Sequence, residues 1–208
     1  MNEMKYYENK LYREGYSYIA GTDEAGRGPM AGPLVAAAVI LPQDVEIIGI
    51  DDSKKLTAKK REELYWIIKD KAIEVQVTFI DVETVDRLNV YQASKKAMTE
   101  CIKKMHQVDY ILTDAMPLNI NIPFLDIIKG DSKSVSIAAA SIIAKVERDN
   151  YMIELDKQYP QYGFKNHKGY VTKEHLEAIK KYGVLDIHRR SFAPVQNCLH
   201  EQCKFNFE

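Results

Sequence analysis

Gly21-Thr22-Asp23-Glu24-Ala25-Gly26-Arg27-Gly28-Pro29-Met30-Ala31-Gly32-Pro33 separates two apolar runs, one ending Tyr18-Ile19-Ala20 and one spelling Leu34-Val35-Ala36-Ala37-Ala38-Val39-Ile40-Leu41. Both runs have the length and composition of buried strands, predicted over Tyr18–Asp23 and Leu34–Leu41. So short a connection, broken by glycine and proline, leaves room only for an antiparallel return. Two adjacent carboxylates therefore stand where a strand opens into a loop that lets a bulky ligand come close. Hard divalent cations take oxygen ligands, and an attacked phosphodiester needs its charge neutralised. The stretch reads as a site for metal and phosphate.

Residues 4–14 predict a short polar helix that need not belong to the core. Thr57–Asp70 has helical spacing at Leu64, Trp66, Ile67 and Ile68, and Ile73–Ile80 alternates as a strand. Asn89–Gln107 reads as helix, Val108–Thr113 as a strand ending in Asp114, and Leu125–Lys129 as a strand ending in Gly130-Asp131. Ser132–Tyr159 is apolar almost all round through Ile137–Ala144 and predicts a helix buried in its first turns, with Ser132 and Ser134 as capping candidates. A further helix is expected at Thr172–Tyr182. Five strands alternating with helices, the first two joined by a tight loop, give a mixed-sheet α/β domain.

Three strand ends then deliver acids: Asp23 with Glu24, Asp114, and Asp131. Ligands of α/β sheets gather beyond strand ends, and carboxylates converging there repel one another unless a cation intervenes. An all-oxygen set suits Mg²⁺ or Mn²⁺ better than zinc, and two ions about 4 Å apart can activate water and stabilise a leaving oxygen. Adjacent strand residues face opposite ways, so Glu24 joins Asp23 only if the backbone kinks near Ala25-Gly26. Taken singly, Asp114 reads first as a turn former, and Asp131 equally as a helix cap.

The bulk properties set bounds. The 208 residues make one large domain, or one with a small appendage, and no run reaches the roughly 20 apolar residues of a membrane span. Three cysteines without a framework and a polar start point to a reducing, cytoplasmic setting. Cys198 and Cys203 resemble a metal clip only loosely and read as tail. Net charge is −1, yet basic residues cluster at Lys54, Lys55, Lys59, Lys60 and Arg61. A second group holds Lys165, Lys168, Lys173, Lys180, Lys181, Arg189 and Arg190. Either cluster reads equally as a solvated face or as a phosphate contact.

Several ordered motifs carry a family resemblance over residues 18–195. They are Asp23-Glu24-Ala25-Gly26-Arg27-Gly28, Asp52-Ser53-Lys54-Lys55-Leu56, Thr113-Asp114-Ala115 and Lys129-Gly130-Asp131-Ser132. Ala138–Asp149 follows, then Gly169-Tyr170 with Thr172 and His175, and finally His188–Phe192. Together they resemble type 2 ribonuclease H, ribonuclease HII. The resemblance implies a ribonuclease H-like fold, a five-stranded mixed sheet flanked by helices, with a C-terminal helical part. The chain would then divide into an N-terminal helical segment (1–17), a catalytic domain (18–195) and a tail (196–208).

The implied activity is endonucleolytic cleavage of RNA in RNA–DNA hybrids, and incision 5′ of a single ribonucleotide in duplex DNA, leaving 3′-hydroxyl and 5′-phosphate. Asp23, Glu24 and Asp114 match the metal-binding carboxylates, with Asp131 or Asp149 as the fourth. Asp131 is preferred, because Asp149 lies about 27 Å further along a straight helix. One Mn²⁺ or Mg²⁺ would sit on Asp23, Asp114 and Asp131, and a second on Asp23 and Glu24 with substrate bound. Gly26-Arg27-Gly28 matches the loop that senses the ribose 2′-hydroxyl, and Tyr170 the aromatic that stacks on the following sugar. Ser53, Lys54, Lys55, Lys165, Lys168, Arg189 and Arg190 would hold flanking phosphates. The partners implied are hybrid and ribonucleotide-containing duplexes, met by a monomer away from membranes. The rival readings are a ribonuclease HIII-like enzyme, for which 1–17 is too short to be the added N-terminal domain, another nuclease or strand transferase of this fold, and a catalytically silent hybrid-binding module.

Overall fold

The computed structural model describes residues 3–205, with side chains from Met4 to His200. In chain order the elements are α1 (Tyr6–Arg13), β1 (Ile19–Ala25), β2 (Leu34–Ile40), α2 (Ala58–Lys71), β3 (Glu74–Ile80), α3 (Val82–Leu88) and α4 (Val90–Lys103). They continue with β4 (Tyr110–Asp114), β5 (Phe124–Ile127), α5 (Val135–Gln158), α6 (Phe164–His167), α7 (Lys173–Tyr182) and α8 (Ala193–Phe205). The chain forms two compact units. One holds the N-terminal stretch through Ala25, Val35–Phe79 and Ser94–Val146; the other holds Gly26–Leu34, Ile80–Ala93 and the chain from Glu147 on. No helix among the described residues is long and apolar enough to cross a membrane.

The first unit is built on a five-stranded sheet in the order β3-β2-β1-β4-β5. The predicted antiparallel pair is present, with register running from Ala20 opposite Ile40 to Ala25 opposite Val35. β1 pairs β4 in parallel, and β4 pairs β5 in parallel, so the sheet is mixed. β2 is buried along its whole length, which explains why it reads as an unbroken apolar run rather than an alternating one. Its core joins Ala37, Val39, Leu64, Ile68, Ala139, Ala140 and Ile143 from strand and helices. Trp66, counted in the helical spacing, points outward from α2 and is 63% exposed.

α5 lies directly on β1. A Cβ on Gly21 would stand 2.1 Å from the Ser136 carbonyl carbon, so only glycine permits that approach. The small residues Ala138, Ala139 and Ala140 serve the same packing and are fully buried. Ser134, not Asp131 or Ser132, caps this helix: its hydroxyl accepts from Ile137 N–H at 3.2 Å.

α1 departs from expectation by belonging to the core. Leu11 packs with Ile19, Leu112, Ile127 and Ile137. Glu8 Oε1 accepts from the Ser134 hydroxyl (2.6 Å) and from Ser136 N–H (3.0 Å). A polar-looking helix thus lends its carboxyl to the start of α5, where free N–H groups attract an acceptor.

The second unit has its own core, in which Met30, Ala31, Met152, Tyr162, Phe164, Ile179 and Val195 meet. Three helices here lie outside the sequence expectation: α3, the four-residue α6 and α8. α3 is a seven-residue helix opened by Asp81, which accepts from Thr84 N–H at 2.7 Å. α8 occupies much of the stretch read as tail; the Cys203 side chain and residues 206–208 lie outside what is described.

Replacing Gly21 by Ala should cost about 3 kcal/mol, the upper part of the range for overpacking, because the obstructing atoms are backbone. A urea denaturation midpoint within error of the parent would refute that account of the β1–α5 contact.

Candidate active site

Asp23, Asp114 and Asp131 each offer a carboxylate oxygen, and these three oxygens lie within 4.8 Å of one another. Three elements of the first unit bring them together. Asp23 sits inside β1 and Asp114 closes β4, two strands paired in parallel. Asp131 is not at a strand end as expected. β5 stops at Ile127, and Asp131 lies in a short 3₁₀ turn, Gly130–Ser132, entered through Lys129 at φ 57°. Asp114 Oδ1 accepts from Gly130 N–H at 2.7 Å, and that bond draws the turn and its acid to the end of β4.

The cluster is electrostatically expensive. Burial pushes the Asp23 carboxyl well above its ordinary value, and the charges of Glu24 and Asp114 push the same way. Asp131 is raised to about 6, first by burial and then by Asp114 and Asp52. Lys54 offsets part of this, its Nζ standing 3.7 Å from Asp131 Oδ2. An all-oxygen, acid-only set that resists its own ionisation fits a hard divalent cation.

Glu24 is a neighbour of this cluster rather than a member. The β1–β2 ladder continues through Glu24 to Ala25, so no kink turns Glu24 onto the face of Asp23. The chain departs from strand geometry at Gly26, where φ is 97°. Asp149 also stands outside the cluster, in the second unit.

Ser53, expected at phosphates, is buried, and its hydroxyl meets Ser141 Oγ at 2.9 Å. Ser141 donates to Asp23, so Ser53 must be the donor to Ser141. Arg61 Nη1 holds the same loop through the carbonyls of Ser53 (2.8 Å) and Leu56 (2.6 Å). Lys55 is engaged with Asp51 Oδ1 at 3.0 Å. Ser53 is thus a support behind the acids, while Lys54 and Lys55 remain at the surface.

In the second unit, Gly26-Arg27-Gly28 opens a loop whose Gly28 faces Tyr170; a Cβ there would lie 3.4 Å from Tyr170 Cε1. Tyr170 is 46% exposed. Two buried arginines shape the loop. Arg148 donates from Nε to Pro33 O, from Nη2 to Ala31 O and from Nη1 to Lys168 O, each at 3.0 Å. Arg189 donates to Gly32 O from Nε (3.1 Å) and Nη2 (2.9 Å), and to Arg27 O from Nη1 (3.2 Å). Burial lowers both guanidinium pKa values, to about 10 and about 9. A Cβ at Gly26 would meet Arg148 Nε at 2.3 Å.

The expectation that Arg189 binds phosphate is therefore corrected: its guanidinium is fully buried and spent on carbonyls. Arg190 and Lys165 are exposed beside Asp186 (3.3 Å) and Asp156 (3.8 Å), and Lys168 donates to Lys165 O. Arg148 and Ser141 lie within the Ala138–Asp149 motif, and sequence alone assigns them no role. A buried helix carrying one arginine, and a serine within its apolar Ile137–Ala144 run, is the available signal, since such groups need partners.

Comparison with known proteins identifies the family. A family model described as Ribonuclease HII matches residues 20–195. The chain is 53% identical over 198 residues to the ribonuclease HII of Bacillus cytotoxicus, covering 95% of this chain and 76% of that one. To the ribonuclease HII of a Geobacillus species it is 52% identical, covering 95% and 72%. Among solved structures, ribonuclease H2 of Pyrococcus horikoshii aligns with a TM-score of 0.78 and 27% identity, over 89% of this chain and 99% of that one. The ribonuclease HII in a complex with PCNA from Archaeoglobus fulgidus aligns at 0.71 and 28%, over 83% and 93%. The matched span takes in all three clustered acids, the glycine loop and Tyr170, and the chain belongs to the ribonuclease HII family, endonucleases of the ribonuclease H class.

Proposed function

We propose that the chain hydrolyses RNA within RNA–DNA hybrids at the Asp23–Asp114–Asp131 cluster, and that it also incises 5′ of a single ribonucleotide embedded in duplex DNA. The observation carrying the reading is the convergence of three carboxylates from β1, β4 and the turn after β5 within 4.8 Å. Asp23, Asp114 and Asp131 would hold one Mg²⁺ or Mn²⁺, and Asp23 with Glu24 a second once substrate is bound. Such ions supply activation of water and stabilisation of the departing 3′-oxygen. Glu24, on the ordinary strand path, would join only from beside the cluster.

The chain's own residues do the rest. Ser141 orients the Asp23 carboxylate, and Gly130 N–H orients that of Asp114. Lys54 supplies a positive charge beside Asp131. Gly26 and Gly28, without Cβ atoms, leave main-chain groups open to a ribose 2′-hydroxyl, and the half-exposed Tyr170 ring offers a flat face to the next sugar. Lys54, Lys55, Lys165, Lys168 and Arg190 would follow the phosphates, making affinity fall as salt rises. The chain would act as a cytoplasmic monomer, with residues 18–195 as its catalytic domain. The HIII-like alternative gives way to the family match, and the silent module to its enzymatic class.

Asp23→Asn should lower cleavage of a duplex with one embedded ribonucleotide by about 10³-fold or more, since ion-borne stabilisation is worth several kcal/mol and each 1.36 kcal/mol is tenfold. Binding of the duplex, read by fluorescence anisotropy, should persist; retained turnover would sink the assignment. The same substitution should raise the Tm of the metal-free protein, because it removes a buried charge from a self-repelling group.

The raised carboxyls also set a pH dependence. In metal-free protein the folded state holds protons that the unfolded state has released, so this contribution is complete below about pH 4 and is lost as pH rises towards 6. Added Mn²⁺ competes with those protons. Its stabilisation, measured as a rise in Tm of at least about 3 °C at saturation, should be clearly larger near pH 7.5 than near pH 5. Equal gains at both would count against these acids as the binding site.

A further inference from the structure

We infer that His175, wired to His188, is a positioning residue for Tyr170, setting the ring that faces the substrate sugar. This rests on the reading of Tyr170 given above. Three histidines, His167, His175 and His188, are buried together in the second unit at 8%, 0% and 1% exposure. The His167 and His175 rings stack with centroids 4.3 Å apart, and His175 Nε2 lies 3.1 Å from His188 Nε2.

The hydrogen-bond roles can be assigned by elimination. His175 Nδ1 faces the Tyr170 carbonyl at 2.9 Å, and a carbonyl only accepts, so Nδ1 carries the proton. Burial pushes the His175 pKa down to about 3 and that of His188 to about 4, so both rings are neutral at ordinary pH and each bears one N–H. His175 Nε2 is then an acceptor, and His188 Nε2 must donate to it. His188 Nδ1 in turn accepts from Leu185 N–H at 2.9 Å, leaving the Leu185 carbonyl at 3.2 Å as a near neighbour. The result is a one-way relay from Leu185 through His188 and His175 to the carbonyl of Tyr170.

Tyr170 is fixed from its other side too, its N–H donating to His167 O at 2.9 Å. His167 is itself held, donating from Nε2 to Tyr162 O (2.8 Å) and accepting at Nδ1 from Gly169 N–H (3.2 Å). His188 pairs with Ala31 in an isolated bridge, and Met30 N–H donates to Gly169 O at 2.9 Å. The relay therefore ties the backbone beneath Tyr170 to the same loop that carries Gly28, whose face the Tyr170 ring meets.

The test is steady-state kinetics of the full chain with Mn²⁺ on a duplex carrying one ribonucleotide. His175→Phe should raise KM about fivefold, the loss of one hydrogen bond of ordinary strength, with kcat changed less than about twofold. His175→Asn, whose amide nitrogen takes the place of Nδ1, should keep KM within about twofold of the parent. Tyr170→Ala should raise KM, and adding His175→Phe to it should change nothing further, because the positioned ring is gone. Additive effects, a parental KM in His175→Phe, or loss of the Mn²⁺-induced Tm gain in that variant would each overturn the proposal. A parental KM in Tyr170→Ala would instead overturn the reading of Tyr170 as the sugar-facing ring. Should His175→Phe not fold, His188→Leu frees His175 to exchange tautomers and should raise KM about threefold; no rise would equally overturn the relay.

Discussion

Repulsion among Asp23, Asp114 and Asp131 is the constraint around which the first unit is organised. Carboxylates that strain against ionisation do not gather by themselves, and each is brought in by a backbone that cannot easily yield. Asp23 is locked in a central strand, Asp114 closes the parallel strand beside it, and Asp131 is pulled round by the Gly130 N–H. The cost is met by packing elsewhere. α5 is pressed onto β1 at Gly21 so closely that two main chains are in contact, and that rigidity keeps the acids from relaxing apart. Stability and cation affinity therefore oppose each other at this point, as they commonly do where function needs strained charge.

The second unit solves a different problem with positive charge. A loop rich in glycine and proline has many carbonyls and few regular bonds. Arg148 and Arg189 gather those carbonyls as forks, and burial gives them no cheaper alternative. A guanidinium suits this because its donors are planar and fixed relative to one another. Lysine, a point charge on a flexible stem, would hold one carbonyl where arginine holds two or three.

Much of this was legible from residue types alone. The antiparallel β1–β2 pair follows from two apolar runs and a short loop, and the chemistry from acids at strand ends. What stayed hidden was set at a distance. The turn at Asp131 has no local signal, since Ile127-Ile128-Lys129 continues the strand pattern and only the bond to Asp114 breaks it. Arg189 carries the same letter as a surface phosphate contact; its burial is decided by carbonyls more than 150 residues away in sequence. α3 is too short and too charged for periodicity to declare it, although Asp81 is a readable cap. α8 did offer a signal, a proline in its first turn, in a stretch that looked like tail. His175 belongs to the Gly169–His175 motif, but its direction of donation depends on a ring thirteen residues on.

The bond between Glu8 and the start of α5 joins residues 126 apart in sequence. During synthesis, α1 is made long before Ser134 exists, and its carboxyl has nowhere to go until most of the sheet has been translated. Contacts of such long range are slow to close, because the chain between them must be ordered first. In the interval α1 exposes Leu11 on a helix too short to hold itself together in water. α1 is thus made before most of the sheet it joins, and its docking through Glu8 must wait for Ser134.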